Sequence, residues 1–164
     1  MLFDFNSALR SAIQTNQVFS GAGADHVKRI MANGTRQKFK EKEVFIRAGQ
    51  RNERLYLIVE GQVEVRLDQA TDEPGLSRLA TIKLNSLKPG DCFGEYSLID
   101  GQTVSASVQA KSNGVLFRIS RPDFEKIISA DNVLAKLIYK NLLEMLIARL
   151  RKKDRELDNV LIMT

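Results

Sequence analysis

The residues whose types and spacing could do chemistry lie in one stretch, Gly90 to Ala110, which reads GDCFGEYSLIDGQTVSASVQA. Gly94 permits a close backbone approach. Glu95 opens a short helical turn. The first N–H groups of such a turn, around Tyr96, Ser97 and Leu98, have no partner within the helix and point outward as an anion site. A carboxylate beside them can accept hydrogen bonds from a sugar hydroxyl. An anion cradle next to a hydroxyl acceptor is what a ribose phosphate needs. An ordinary structural account stands beside this one. An acid in a first helical turn is favoured by the helix dipole alone, and Ser105 and Ser107 fit simple strand alternation.

Other chemistries find little support. The chain has one cysteine, Cys92, and one histidine, His26. An internal disulfide, a cysteine-based zinc cluster and a multi-histidine metal centre are thereby excluded. Cys92 reads as a small strand residue, His26 as a surface helix residue and Tyr96 as a packing residue. No metal site, cofactor or catalytic activity is expected. The most apolar stretch, 133–150, is broken by Lys136, Lys140, Glu144 and Arg149, so no membrane span is expected. The start, MLFDFNSALR, lacks a basic region before an apolar run and is no secretory signal; a cytoplasmic protein is expected. The net charge of +5 is concentrated in Arg149, Arg151, Lys152, Lys153 and Arg155. A cluster on one helix end fits a solvated face better than a nucleic-acid surface. Nucleic acid is not an expected partner.

The 164 residues suit one domain with a terminal appendage. A short helix capped by Asn6 or Ser7 is expected through Ile13, and a second over 25–31, stopped by Asn33-Gly34. From residue 36 the period changes. Apolar residues alternate with charges through 47, Leu55 to Val59 form a β-rich run, and Val63 to Leu67 alternate. Asp68 to Ser77 read as a polar loop. Ala80–Leu84, Val104–Ala110 and Val115–Ile119 are further strands, with turns at Lys88-Pro89-Gly90-Asp91 and Lys111-Ser112-Asn113-Gly114. Short strands with turn signals between them suggest a sandwich or small barrel. Ser120 and Asp123 form a capping box with Pro122 in the first turn, and Asp131 caps a long helix to about Asp158. The expected fold is α+β and mainly β: short N-terminal helices, a β-roll, then two C-terminal helices. Residues 1–130 form the domain and 131–164 a long C-terminal helix with its tail.

Phe93-Gly94-Glu95-Tyr96-Ser97-Leu98, followed by Ser105-Ala106-Ser107-Val108, resembles the phosphate-binding cassette of the cyclic nucleotide-binding domain family. Gly49 and Gly61 match glycines of that family's early turns, and the helix–roll–helix order matches too. The resemblance implies an eight-stranded, jelly-roll-like β-roll with a C-terminal lid helix. It also implies a regulatory signalling role, with cAMP, cGMP or another cyclic nucleotide held by Phe93 to Leu98 and by Val104, Ser105 and Ala106. One position departs from the family pattern. Val104 stands where the family has an arginine that pairs with the cyclic phosphate. Valine can neither pair a charge nor donate, which forfeits about 1.5–3 kcal/mol. Weak cAMP and cGMP binding is therefore expected, unless Arg66, Arg78 or Arg118 supplies the charge. A degenerate roll that binds no nucleotide and serves as a dimeric interaction module is the alternative.

The last helix carries its own signal. From Leu134 to Leu150 it is apolar on most of its circumference, so two sides need cover. Leu143, Leu146, Leu150, Lys153, Leu157 and Val160 follow the spacing of a coiled-coil seam. A homodimer through this helix is expected, with packing inside one chain as the alternative. A ligand at the cassette would shift the helix and pass a signal to an unknown protein effector. The chain ends soon after the helix, and no DNA-binding segment is expected in it.

Overall fold

The computed structural model describes residues 4–69 and 80–162. Two helices, α1 (Phe5–Thr15) and α2 (Ala24–Ala32), precede eight strands. These are β1 (Thr35–Phe39), β2 (Val44–Ile46), β3 (Arg54–Glu60), β4 (Val63–Gln69), β5 (Ala80–Leu87), β6 (Cys92–Phe93), β7 (Ser107–Ala110) and β8 (Gly114–Ser120). A short helix, α3 (Glu95–Asp100), lies between β6 and β7, and α4 (Arg121–Ala130) and α5 (Asn132–Ile162) follow β8. The strands form two antiparallel four-stranded sheets, ordered β1-β8-β3-β6 and β2-β7-β4-β5. The mainly β roll with flanking helices expected from the sequence is the observed architecture.

The first sheet is covered on both faces, which explains why β3 reads as a continuous apolar run rather than an alternation. Leu55, Leu57 and Val59 point one way, into a core shared with Leu9 and Ile13 of α1, Ile30 of α2, Leu98 of α3, Phe124 of α4, and Leu134, Ile138, Leu142 and Met145 of α5. Tyr56 and Ile58 point the other way, into the roll, where they meet Phe39, Val63, Phe93 and Val108. Inside the roll Tyr56 and Phe93 stack with ring centroids 4.7 Å apart, and Phe45 sits 5.7 Å from Phe93. The first half of α5 therefore belongs to the same core as the N-terminal helices. Asn141 reinforces this: its buried amide donates to the carbonyls of Val18 (3.0 Å) and Ser20 (2.8 Å).

Several local expectations change. Asp4, not Asn6 or Ser7, caps α1, its carboxylate accepting from Asn6 N–H at 3.1 Å. The segment 36–47 is two strands, because the chain turns between β1 and β2 at Lys42, whose φ is 69°. β4 extends to Gln69, so Asp68 is strand rather than loop; the rest of the expected loop, with Arg78, lies outside the described residues. β7 begins at Ser107 instead of Val104, because Val104 is paired elsewhere: its N–H donates to Gln50 C=O (2.9 Å) and its C=O accepts from Gly49 N–H (2.8 Å). The capping box at α4 is present, with Asp123 N–H donating to Ser120 Oγ at 3.2 Å. The long helix runs four residues further than expected, to Ile162.

Asp131 caps α5 as expected, its Oδ1 accepting from Val133 N–H and Leu134 N–H at 3.0 Å each. His26 is more than a surface residue, since its Nε2 lies 3.2 Å from Asp131 Oδ2, with Arg29 at 3.6 Å. The Leu134 N–H first, then the charge of His26, the Val133 N–H and Arg29 hold the Asp131 carboxyl below its ordinary range, against an opposing desolvation effect. A carboxyl depressed on folding adds stability above its unfolded pKa, and that stability is lost as the pH falls through the folded value. Asp131→Ala should therefore lower the melting temperature at neutral pH, and the gap to the native protein should close as the pH falls below about 4. A gap that stayed constant into strong acid would show that the cap does not act through its charge.

Candidate functional site

The cassette is built on β6. Its two residues pair with β3, Phe93 opposite Tyr56 and Cys92 opposite Leu57. The chain then turns at Gly94, where φ is +89°, and enters α3. A Cβ at Gly94 would lie 2.4 Å from Arg54 C=O and 2.6 Å from Asn52 Nδ2. The close approach that the sequence suggested is thus made to the protein's own β3. Asn52 is the buried bracket of this corner: its amide donates to Arg54 C=O (2.7 Å), Gly94 C=O (3.2 Å) and Ser97 Oγ (3.3 Å).

The expected site residues divide between structure and surface. Phe93, Ser97 and Leu98 are buried, Phe93 in the roll, Leu98 in the helical core and Ser97 on Asn52. Tyr96 is 49% exposed and so is not the packing residue it was read as. Val104 is half-buried and packs against the roll's interior cluster. Ser105 is exposed and Ala106 half-buried. Ser107 is buried, with its Oγ accepting from Ala48 N–H at 3.0 Å.

Glu95 is the centre of the site. Only 5% of it is exposed, and its Oε1 lies 2.5 Å from Nη1 of Arg149 on α5. The same Nη1 is 2.6 Å from the Tyr96 hydroxyl, and the guanidinium carbon stands 5.2 Å from the Tyr96 ring. Burial alone would lower the Arg149 pKa; the Tyr96 hydroxyl and the Glu95 carboxylate outweigh it and hold the guanidinium firmly charged. Sequence reasoning missed Arg149. It stood out only as the first residue of the basic run, and nothing local places it over a residue 54 positions earlier. The arginines that sequence offered are engaged elsewhere: Arg66 pairs with Glu64 on its own strand, and Arg118 donates to Thr35 Oγ1 at 2.9 Å across β1 and β8.

A depression of about 420 Å³ opens beside the cassette, lined by Phe45, Arg51, Asn52, Arg54 and Tyr56. Asn52 and Tyr56 are the residues that hold Gly94 and Phe93. A slightly larger cleft of about 500 Å³ at Lys38, Glu43, Glu60 and Asn113 contains no cassette residue. Volume alone therefore does not mark the site. Among the described residues no group of three His, Cys, Asp or Glu side chains could hold a metal ion, and no helix is long and apolar enough to cross a membrane.

Comparison with known proteins agrees with this geometry. The sequence model of the cyclic nucleotide-binding domain matches residues 36–131, more than half of the chain. A cAMP-dependent protein kinase regulatory subunit from Eremothecium gossypii is 27% identical over 83% of this chain and 27% of its own length. A cAMP-activated global transcriptional regulator from Pasteurella multocida is 32% identical over 75% of this chain and 54% of its own. The crystal structure of the catabolite activator protein of Thermus thermophilus superposes with a TM-score of 0.76 at 28% identity, covering 88% of this chain and 63% of that one. The chain thus spans between a quarter and just over half the length of these two curated relatives.

Two outcomes follow from the packing of this corner. Gly94→Ala should cost about 2 kcal/mol, roughly 4–8 °C in melting temperature, since it adds a disfavoured φ to a backbone clash; an unchanged melting curve would refute the close approach. Burial first, and the charge of Glu95 next, push the Cys92 thiol up to about 12. It should resist a disulfide reagent at about pH 8 in the native protein and react stoichiometrically once unfolded.

Proposed function

The chain belongs to the cyclic nucleotide-binding domain family, and from that premise we propose that it is a regulatory sensor module without catalytic activity. Its ligand would be a cyclic nucleotide, such as cAMP or cGMP, seated at Gly94 to Leu98 with Val104, Ser105 and Ala106 at its edge. The observation that carries the reading is the contact of Arg149 with Glu95. The cassette carboxylate best placed to accept a ribose hydroxyl is also the one that the C-terminal helix holds. A ligand that hydrogen-bonds Glu95 changes what Arg149 holds, and Arg149 is fixed to α5. Occupancy at the cassette is thereby converted into a change in the helix, which passes it to a partner chain. Regulatory relatives whose names tie them to cAMP support the ligand class.

Val104 limits affinity. Its side chain packs into the roll's apolar interior, where it offers nothing to a phosphate. Arg149 does not replace the missing guanidinium, because its charge is already paired with the Glu95 carboxylate. The same facts favour the second reading, a roll that no longer binds nucleotide and acts as a dimeric interaction module.

Calorimetric titration of the native protein and of Val104→Arg with cAMP and cGMP separates the two. The native protein should bind more weakly than about 1 μM. The variant should gain about 1.5–3 kcal/mol, ten- to more than a hundredfold, from one charge-assisted contact. A folded variant with no gain would leave the interaction-module reading standing in place of the sensor. Tight native binding would show that the charge comes from elsewhere in the site.

A further inference from the structure

The depression beside the cassette differs from the larger cleft in its buried polar atoms. Asn52 and Tyr56 line it and are only 7% and 5% exposed. The Asn52 amide nitrogen is occupied by the carbonyls of Arg54 and Gly94 and by Ser97 Oγ. Asn52 Oδ1 accepts no hydrogen bond among the described residues, and the Tyr56 hydroxyl has no partner there either. Side chains buried this deeply normally have their polar atoms paired. Among the described residues the unpartnered side-chain atoms sealed from solvent are His26 Nδ1 and Arg29 Nη1. The oxygens of Asn52 and Tyr56 therefore reach solvent, and the depression is the open space that both residues line. In the larger cleft the polar atoms are satisfied: Asn113 Oδ1 accepts from Glu41 N–H at 2.9 Å, and Glu43 Oε2 from Lys40 N–H at 3.0 Å.

We propose that this depression is a second ligand site, for a small aromatic monocarboxylate bearing a hydroxyl, and that its occupancy reaches the cassette through residues 49–54. The ring lies against Phe45 and Pro122, the carboxylate meets the guanidiniums of Arg51 and Arg54, and the hydroxyl lies between Asn52 Oδ1 and the Tyr56 hydroxyl. The site goes beyond the sensor reading above and does not depend on it, since no residue of 93–106 lines the depression.

The lining sets the ligand's chemistry. A volume of about 420 Å³ lies within the range of small-molecule sites, about 300–1,000 Å³. The half-buried Phe45 and Pro122 supply an apolar wall. Arg51, Glu53 and Arg54 are exposed on the rim, and none of the three has an ion pair among the described residues. Two guanidiniums against one carboxylate leave a single positive charge for the ligand. A guanidinium fork matches a carboxylate in shape and charge. A phosphate monoester carries up to about two negative charges and would set the surplus against Glu53. Asn52 Oδ1 accepts and cannot donate, so the ligand must bring a donor. The same segment is tied to both ends of the cassette. The Asn52 amide holds Gly94 and Ser97, Gly49 N–H and Gln50 C=O pair with the backbone of Val104, and Arg51 bridges to Thr103. A donor placed on Asn52 Oδ1 thus acts on the amide that brackets the Gly94 corner.

The test is a titration of the isotope-labelled whole chain with para-hydroxybenzoate, followed by amide NMR at constant ionic strength. The Asn52 side-chain amide and the backbone of 49–54 should shift together and saturate with one Kd below about 1 mM. Gly94, Ser97 and Val104 should shift with the same Kd. Arg51→Gln combined with Arg54→Gln should weaken binding about tenfold or more, and Tyr56→Phe, which removes only a hydroxyl, about threefold. Lys38→Gln combined with Lys40→Gln, at the larger cleft, changes net charge equally and should leave the Kd unchanged. para-Hydroxybenzyl alcohol and phenyl phosphate should both bind more weakly than the carboxylate. Shifts that do not saturate, or an affinity that the arginine variant keeps or the lysine variant loses, overturn the site. Equal or tighter binding of the alcohol or of phenyl phosphate overturns the ligand class. Saturable binding that leaves Gly94, Ser97 and Val104 unmoved overturns the coupling. The cyclic nucleotide titration decides the sensor reading independently of all three.

Discussion

A carboxylate that is 95% removed from water needs a charge partner, and much of the arrangement at Glu95 follows from that need. Asn52 fixes the Gly94 corner from which Glu95 opens α3, and Arg149 supplies the countercharge. The pair is only partly buried on the arginine side, so solvent weakens it; about 1–3 kcal/mol is the scale. The four apolar side chains that α5 buries are each worth a similar amount or more, about 1.5–3 kcal/mol. The core therefore holds the helix on the domain, and the ion pair fixes where its middle lies relative to the cassette. A contact of that modest size can be broken without unfolding the helix.

The roll interior imposes the opposite constraint on the other end of the cassette. Phe45, Tyr56 and Phe93 are packed together there, and Val104 extends the same apolar surface. The backbone of Val104 is bonded to Gly49 and Gln50, which zips the end of the cassette to the β2–β3 turn. The end of the cassette at Val104 is consequently poorer in charge than its start, where Glu95, Tyr96 and Arg149 converge. An arginine at 104 would have to leave the apolar cluster to be useful, and the backbone pairing on both sides of the residue gives it a fixed place from which to do so.

These two halves meet at the helices. α5 is capped by Asp131, which His26 and Arg29 of α2 also address, and it is pinned midway by Asn141 to the carbonyls of Val18 and Ser20. The N-terminal helices thus set the root of α5, and the Glu95 pair sets its middle. Beyond Arg149 the described side chains of α5 are exposed.

The sequence by itself determined the order and type of the elements. Alternation, turn dipeptides and capping residues are local signals, and the cassette is a contiguous run whose identity does not depend on distant contacts. The capping box at Ser120, the cap at Asp131 and the apolar surplus of α5 were legible for the same reason. What the tertiary structure decided was the use of those residues. Gly94 is a glycine because β3 passes beneath it, Ser97 is consumed by Asn52, and Val104 leaves the strand because the β2–β3 turn claims its backbone. His26 finds Asp131, and Arg149 finds Glu95, across more than fifty residues of chain. Such pairings depend on how the roll and helices pack, and no spacing rule in the sequence encodes a contact made only when two separate elements are brought together.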